Sequence, residues 1–154
     1  MIALLLAVLF GAAPIPAVIT RIVDGDTVDT TVGKVRLKCV DAPEKGQYPF
    51  GTHSSKTLAS LLPVGSYVEL RGKTSGGFGR IAAEVVRNGT NVNLEMVAKG
   101  QAFVYWNYLS GCNRADYSAA ESSAKSKETL NKARPALLAD PNLIRETTLH
   151  DLDT

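Results

Sequence analysis

The stretch from Asp24 to Glu44 constrains the fold of this chain more than any other segment. It begins with Asp-Gly-Asp-Thr, which predicts a turn or bulge inside a β segment, because glycine tolerates positive φ and aspartate caps its own backbone. A hairpin follows, and from Val35 onward apolar and charged residues alternate as in a strand with one buried face. Pro43 cannot donate to a ladder, so the strand is predicted to end near Asp41.

That arrangement can gather Asp26, Asp41 and Glu44 near one point, with Arg36 on the strand between them. Clustered carboxylates need a cation, a shared proton or separation, and a hard divalent ion, Ca²⁺ above all, suits their oxygen atoms. An arginine adds planar donors that suit a phosphate. Metal, arginine and a spare carboxylate together describe a site that cleaves phosphodiesters. Turn aspartates and ordinary surface charges are the alternative, and spacing alone favours that alternative.

Four blocks of sequence resemble the staphylococcal nuclease (thermonuclease) family, and they occur in that family's order. They are VDGDTV at 23–28, RLKCVDAPE at 36–44, FGR at 78–80 and NGTNVN at 88–93. The resemblance spans roughly residues 19–132. About five short strands interleaved with three helical segments already suggest a small closed sheet with helices. The resemblance implies the same α+β, mainly β fold: a five-stranded OB-type barrel with about three packed helices.

The resemblance also implies roles for the acidic residues. In the family, Ca²⁺ is held by the positions that match Asp26 and Asp41, together with the backbone carbonyl that matches Ala42. That carbonyl ligand survives the presence of alanine where a family member has threonine. Glu44 matches the candidate general base for the attacking water, a role that typically contributes about 10²–10⁴ in rate.

Two arginines and three aromatic residues complete the site that the resemblance implies. Arg36 and Arg80 match the family's phosphate-clamping pair, which stabilises charge on the scissile phosphate. Phe78 stands where the family often has tyrosine, so a hydroxyl that could bond a phosphate is absent and the loop should be more mobile. Tyr105 and Tyr108 can stack on bases, although packing between the barrel and the last helix explains either of them equally well.

Composition and the ends of the chain bound the rest of the prediction. With 154 residues and a formal charge of only +2, the chain forms one domain and carries no global basic field. We expect a signal peptide or N-terminal anchor at 1–17, a nuclease-like domain at 18–134 and a tail without assigned structure at 135–154. Proline residues and short length argue against a stable membrane span in the first segment.

The two cysteines, Cys39 and Cys112, form an even pair that fits an oxidising destination. In the fold that the resemblance implies, the segment after the aromatic residues returns towards the barrel. We therefore expect a Cys39–Cys112 disulfide that ties the last helix to the catalytic strand. Two separate thiols are the alternative, and a cytosolic location would favour it.

The functional prediction is a secreted or periplasmic Ca²⁺-dependent nuclease, a monomer that cleaves DNA and RNA with little sequence preference. Single-stranded or frayed nucleic acid is the preferred substrate, and by resemblance the product carries a 3′-phosphate. The alternative is a non-catalytic OB domain of similar fold that binds nucleic acid or protein. Such relatives are expected to lose the catalytic set, whereas this chain has all of it: Asp26, Arg36, Asp41, Glu44 and Arg80.

Overall fold

The computed structural model describes the backbone of residues 12–139 and the side chains of residues 12–128. Its strands are β1 Ile15–Ile22, β2 Thr27–Thr30, β3 Gly33–Leu37, β4 Val40–Asp41, β5 Tyr67–Ser75, β6 Ile81–Arg87, β7 Thr90–Asn91 and β8 Phe103–Val104. Its helices are α1 Phe50–Leu61, α2 Val92–Ala98 and α3 Arg114–Ala139, with a 3-10 turn at Trp106–Tyr108.

Five strands close into a barrel. Neighbouring strands run in the order β3-β2-β1-β5-β6, and β3 also pairs with β6, which joins the two ends of the sheet. That closing contact is parallel and sets Val35 opposite Ile81 and Arg36 opposite Ala82. The predicted five-stranded barrel with three helices is therefore confirmed.

The barrel interior is filled by the apolar face of each strand. On β3 this face holds Val35 and Leu37, which are fully buried, while Arg36 lies on the opposite, partly exposed face. The predicted alternation along this strand is thus confirmed. The most completely buried side chains include strand residues, helix residues and the residue after α1: Ile19, Val28, Val85, Leu58, Met96, Tyr117 and Leu62.

A buried amide ties α2 to two strands. Asn93 is fully buried, accepts a hydrogen bond from the backbone N–H of Val85 and donates to the carbonyls of Lys38 and Ala83. Asn91 is the N-cap of α2 and accepts from the backbone N–H groups of Asn93 and Leu94. Asn91 therefore caps α2, which leaves Asn93 to hold the closing strands together.

The glycine of the Asp-Gly-Asp-Thr block is required for a different reason from the one predicted. The backbone of Gly25 is not in the left-handed region. Instead, a Cβ at this position would lie 2.7 Å from the Ser54 Cβ and 2.9 Å from the Ala42 Cβ, far inside van der Waals contact. Gly25 therefore lets α1 pack directly against the turn that carries Asp26.

The last helix extends into the segment predicted as a tail. Helix α3 continues to Ala139, so residues 135–139 of the predicted tail at 135–154 are helical.

At the other end, β1 begins at Ile15, inside the predicted 1–17 segment, and Ala17 pairs with Val68. The predictions for residues 1–11 and 140–154 lie outside the described residues. Within the described part of the chain, no helix combines the length and the apolar character needed to cross a membrane.

The predicted disulfide between Cys39 and Cys112 is confirmed. Cys39 follows the end of β3 by two residues, and Cys112 precedes α3 by two residues. The bridge therefore fastens the segment between β8 and α3 to the point where β3 leaves the barrel.

Candidate active site

Asp26 immediately precedes β2 and follows the turn at 24–25. Its side chain is only 12% exposed. One carboxylate oxygen, Oδ2, accepts from Arg36 Nη1 at 2.7 Å and from the Ala42 backbone N–H at 3.2 Å. The other, Oδ1, accepts from Thr27 Oγ1 at 2.8 Å. Three donors therefore fix the orientation of this carboxylate.

Arg36 joins the two predicted metal-ligating aspartates. Its Nη1 donates to Asp26 and its Nη2 donates to Asp41 Oδ1, both at 2.7 Å. The Asp41 side chain is 56% exposed, so the arginine spans from a buried carboxylate to one that faces solvent. Asp26, Arg36, Asp41 and Ala42 are thus brought together as the sequence predicted.

The electrostatics of Asp26 favour an additional cation. Burial has the largest effect and raises the pKa of Asp26 above its ordinary value, while the Arg36 guanidinium acts in the opposite direction. When a buried carboxylate is ionised and one cation compensates its charge only in part, a second positive charge stabilises it further. A cation bound here would therefore add to the compensation that Arg36 provides.

The donor set fits a hard cation bound by few protein groups. In the part of the chain with described side chains, no group of three or more His, Cys, Asp or Glu residues lies close enough to hold a metal. Two carboxylates, Asp26 and Asp41, and the backbone of Ala42 remain. Ca²⁺ takes six to eight oxygen ligands, so such a site would leave positions for water and substrate phosphate.

Glu44 follows Asp41 by three residues in the chain, and hydrogen bonds hold its backbone. Its N–H donates to Gln47 Oε1 at 2.7 Å, and its carbonyl accepts from the Gln47 N–H at 2.9 Å. Gly51, in the first turn of α1, packs so closely that a Cβ there would lie 2.7 Å from the Glu44 carbonyl carbon. The side chain of Glu44 is exposed, so its carboxylate is accessible to water. Gln47 and Gly51 are supporting residues that the sequence motifs did not indicate.

Arg80 immediately precedes β6, the strand that pairs with β3. Its Nε donates to the carbonyl of Gly77 at 3.3 Å, and its guanidinium lies 5.7 Å from the centre of the Phe78 ring. Phe78 itself is 99% exposed and contacts this arginine rather than the groove described next. The structure therefore places Phe78 as a neighbour of Arg80 on the outer surface of the loop.

A groove of about 540 Å³ begins at Arg36 and runs beside the end of β3. One wall comes from the β5–β6 hairpin, and the other comes from the segment after β8. Tyr105 and Tyr108 line the second wall, with ring centres 4.5 Å apart and planes inclined at 45°. The Tyr105 N–H donates to the Cys39 carbonyl at 2.9 Å, which anchors this wall to the disulfide. Both tyrosines thus lie at the groove, while their role in binding substrate stays a prediction.

Phe103 is an aromatic residue near the site that sequence reasoning missed. It lies directly opposite Asp41 in the antiparallel pair of β4 and β8, and its side chain is largely exposed. Directly opposed residues of an antiparallel pair share one face, so Phe103 stands on the same face as Asp41. Each of these strands has two residues, which is too short for an alternating pattern to reveal the pairing.

The chain is similar in sequence to one protein family and to several known proteins. The family described as Staphylococcal nuclease homologue matches residues 34–130. A relative from Haemophilus influenzae, called an uncharacterized endonuclease, is 42% identical over 95 residues, which are 58% of this chain and 52% of that relative. The micrococcal nuclease of Shigella flexneri is 31% identical over 137 residues, covering 80% of this chain and 74% of that relative. Endonuclease YhcR of Bacillus subtilis is 32% identical over 107 residues, 58% of this chain and 9% of that much longer protein.

A closed five-stranded barrel that gathers two aspartates on one arginine beside an aromatic groove defines an OB-type fold with a site suited to phosphate chemistry. The matched family and the named relatives specify this class further. The chain belongs to the staphylococcal nuclease family. The prediction of a nuclease-type hydrolase is thereby confirmed at the level of the family, while the chain spans only about half of the Haemophilus influenzae relative.

Proposed function

We propose that this protein is a Ca²⁺-dependent nuclease that hydrolyses DNA and RNA with little sequence preference. The observation that carries the proposal is the convergence of Asp26 and Asp41 on Arg36, at the mouth of a groove lined by two tyrosines. Family membership supplies the reaction class. The aromatic wall supports low sequence preference, because every base has a face that can stack.

Asp26, Asp41 and the carbonyl of Ala42 would hold the Ca²⁺ ion. When bound, the ion supplies positive charge against the scissile phosphate and an ordered water. The oxygen atoms of both aspartates now accept from Arg36. With those carboxylates engaged by the ion, Arg36 would be free to turn its Nη donors to the phosphate.

The chain's own residues account for the proton and the charge in the reaction. Glu44 accepts a proton from water as the water oxygen bonds to phosphorus. The P–O5′ bond breaks on the opposite side, the leaving 5′-oxygen takes a proton from solvent, and the product carries the 3′-phosphate. Arg36 and Arg80 donate to the phosphate oxygens, on which negative charge increases during the attack.

The preferred substrate in this proposal is single-stranded or frayed nucleic acid, acted on by a monomer. Stacking on Tyr105 and Tyr108 requires bases that are not held in a duplex. A secreted or periplasmic location is part of the same proposal. The Cys39–Cys112 bridge supports it, because such bonds persist mainly in oxidising compartments.

The decisive experiment incubates the purified chain with heat-denatured DNA in Ca²⁺, and in parallel with EGTA. We expect rapid cleavage in Ca²⁺ and none in EGTA. Equal cleavage in EGTA would remove the metal from the proposal. Absence of cleavage in Ca²⁺, with DNA binding retained, would favour the alternative of a non-catalytic nucleic-acid-binding domain.

A matched pair of variants tests the general base. Glu44→Gln should lower turnover by about 10²–10⁴ while the protein stays folded. Glu69→Gln is the control, because Glu69 is an exposed carboxylate on β5 that pairs with Arg71. Near-normal turnover in Glu44→Gln would exclude Glu44 as the base.

A further inference from the structure

We propose that Lys38 forms a second phosphate subsite, which binds the phosphate next to the scissile one in a nucleic-acid strand. This inference rests on the proposed function and extends it to the substrate, which should span more than one phosphate. Lys38 follows directly after β3 and lines the same groove as Arg36. No motif of the sequence analysis included it.

The backbone of Lys38 is held rigidly. Its N–H donates to the carbonyl of Ala83 at 2.9 Å, and its own carbonyl accepts from the buried Asn93 amide at 2.8 Å. Asn93 also bonds Ala83, so strand β6 and helix α2 fix this residue together. The side chain therefore extends into the groove from a fixed point, as a binding group should.

The ammonium group lacks a carboxylate partner among the described residues. Its hydrogen bond there is to the carbonyl of Gly72 at 3.3 Å, longer than the roughly 2.7–2.9 Å of a strong charged bond. No described Asp or Glu lies within ion-pair distance of it. An ammonium has three donors, so donors remain for an anion.

The ammonium lies between the two walls of the groove. Lys38 Nζ bonds the Gly72 carbonyl on one side and lies close to the backbone of Gly111, next to the disulfide, on the other. None of the described residues that line the groove is acidic.

The spacing of the two residues along the chain fits neighbouring phosphates. Residues two apart in extended chain lie about 6–7 Å from each other at the backbone. Arg36 and Lys38 are both partly exposed, while Leu37 between them is buried. That separation matches the distance between successive phosphates of an extended nucleic-acid strand. A groove of about 540 Å³ is large enough for the nucleotide between them.

Equilibrium binding tests the subsite without requiring catalysis. Fluorescence anisotropy in EGTA would measure binding of a labelled oligothymidylate to wild type, Lys38→Gln and Lys56→Gln over a range of salt. Lys56 is the matched control, because it is an exposed lysine on α1 that does not line the groove.

We expect Lys38→Gln to raise the Kd about fivefold and to lower the salt slope of log Kd by about 0.7, the value for one single-strand phosphate contact. Lys38→Arg should restore both. Lys56→Gln should leave the slope unchanged. Equal slopes for Lys38→Gln and Lys56→Gln would overturn the proposal, since the effect would then be one of net charge.

Steady-state kinetics on two substrates tests the Lys38 subsite separately from the proposed nuclease activity. With Ca²⁺, Lys38→Gln should raise KM for the oligothymidylate at unchanged kcat, and should leave hydrolysis of the dinucleotide TpT unaffected. A reduced kcat on TpT would overturn the subsite and assign Lys38 to the catalytic step or to structure. If wild type cleaved neither substrate but the binding slopes differed as expected, the subsite would stand and the nuclease proposal would fail.

Discussion

Removing the Cys39–Cys112 bridge should destabilise the protein by an amount that follows from its position in the chain. The two cysteines are separated by 73 residues. In the chain-entropy model, opening a loop of this length costs about 4 kcal/mol near room temperature. That is a large part of the roughly 5–15 kcal/mol by which domains of this kind are stable. Replacing the buried Cys39 by alanine adds a packing loss of about 1 kcal/mol.

Urea unfolding followed by tyrosine and tryptophan fluorescence measures both contributions. Reductant should lower the unfolding midpoint of wild type by about 2 M, taking a slope of about 2 kcal/mol per M. The slope should rise as well, because an unfolded chain without the bridge exposes more surface. The variant Cys39→Ala/Cys112→Ala should unfold slightly earlier than reduced wild type and should not respond to reductant. An unchanged midpoint after thiol labelling has confirmed full reduction would refute the loop-entropy reasoning.

Three other results are expected. Tyr117→Phe should reduce stability by about 1.5–3 kcal/mol at neutral pH, since it removes a 2.7 Å bond to the Glu84 carboxylate. Burial, together with Glu84, raises the pKa of the Tyr117 hydroxyl in the folded protein. The stability that this hydroxyl contributes is therefore complete below its ordinary pKa of about 10 and declines as the pH rises above that value. Urea titrations at several alkaline pH values should show a weaker decline in Tyr117→Phe than in wild type. Gly25→Ala should lower the free energy of unfolding by about 1–3 kcal/mol, measured by thermal unfolding, because α1 must move away. Gly46→Ala, at a position with open space around it, should lower it little. Equal losses in the two variants would contradict the steric argument. Asp41→Asn should weaken Ca²⁺ binding in calorimetry while the fold persists, because Asp41 is exposed and Arg36 keeps its bond to Asp26; unaltered Ca²⁺ affinity would exclude Asp41 as a ligand.

The sequence predicted those parts of the fold that depend on pattern. Alternation along β3 placed Arg36 on the outer face, and the order of the motif blocks implied the barrel. The role of Gly25 was predicted wrongly, because its constraint comes from α1, a segment about thirty residues away in the chain. A local turn rule cannot detect a distant helix.

The sequence predicts those site residues that stand in recognisable motifs. It does not predict those that join the site through contacts between distant segments. Asp26 and Asp41 follow from motif positions, and the structure joins them through one guanidinium. Phe103 lies opposite Asp41 only because β8 pairs with β4, and Lys38 stands between two groove walls only because the Gly111 segment lies beside its ammonium. Both depend on contacts between segments more than 60 residues apart, for which a single sequence holds no direct signal.

The parallel contact between β3 and β6 determines at which point during synthesis the barrel can close. It sets Val35 opposite Ile81, the residue after Arg80, so residues some 45 positions apart must meet before the barrel closes. A nascent chain that ends before β6 lacks both the closing strand and the second arginine. On the proposed function, ribosome-bound fragments of this protein are therefore unable to cut the message that encodes them. On that proposal, activity would begin only when enough chain has left the ribosome for β6 to join β3.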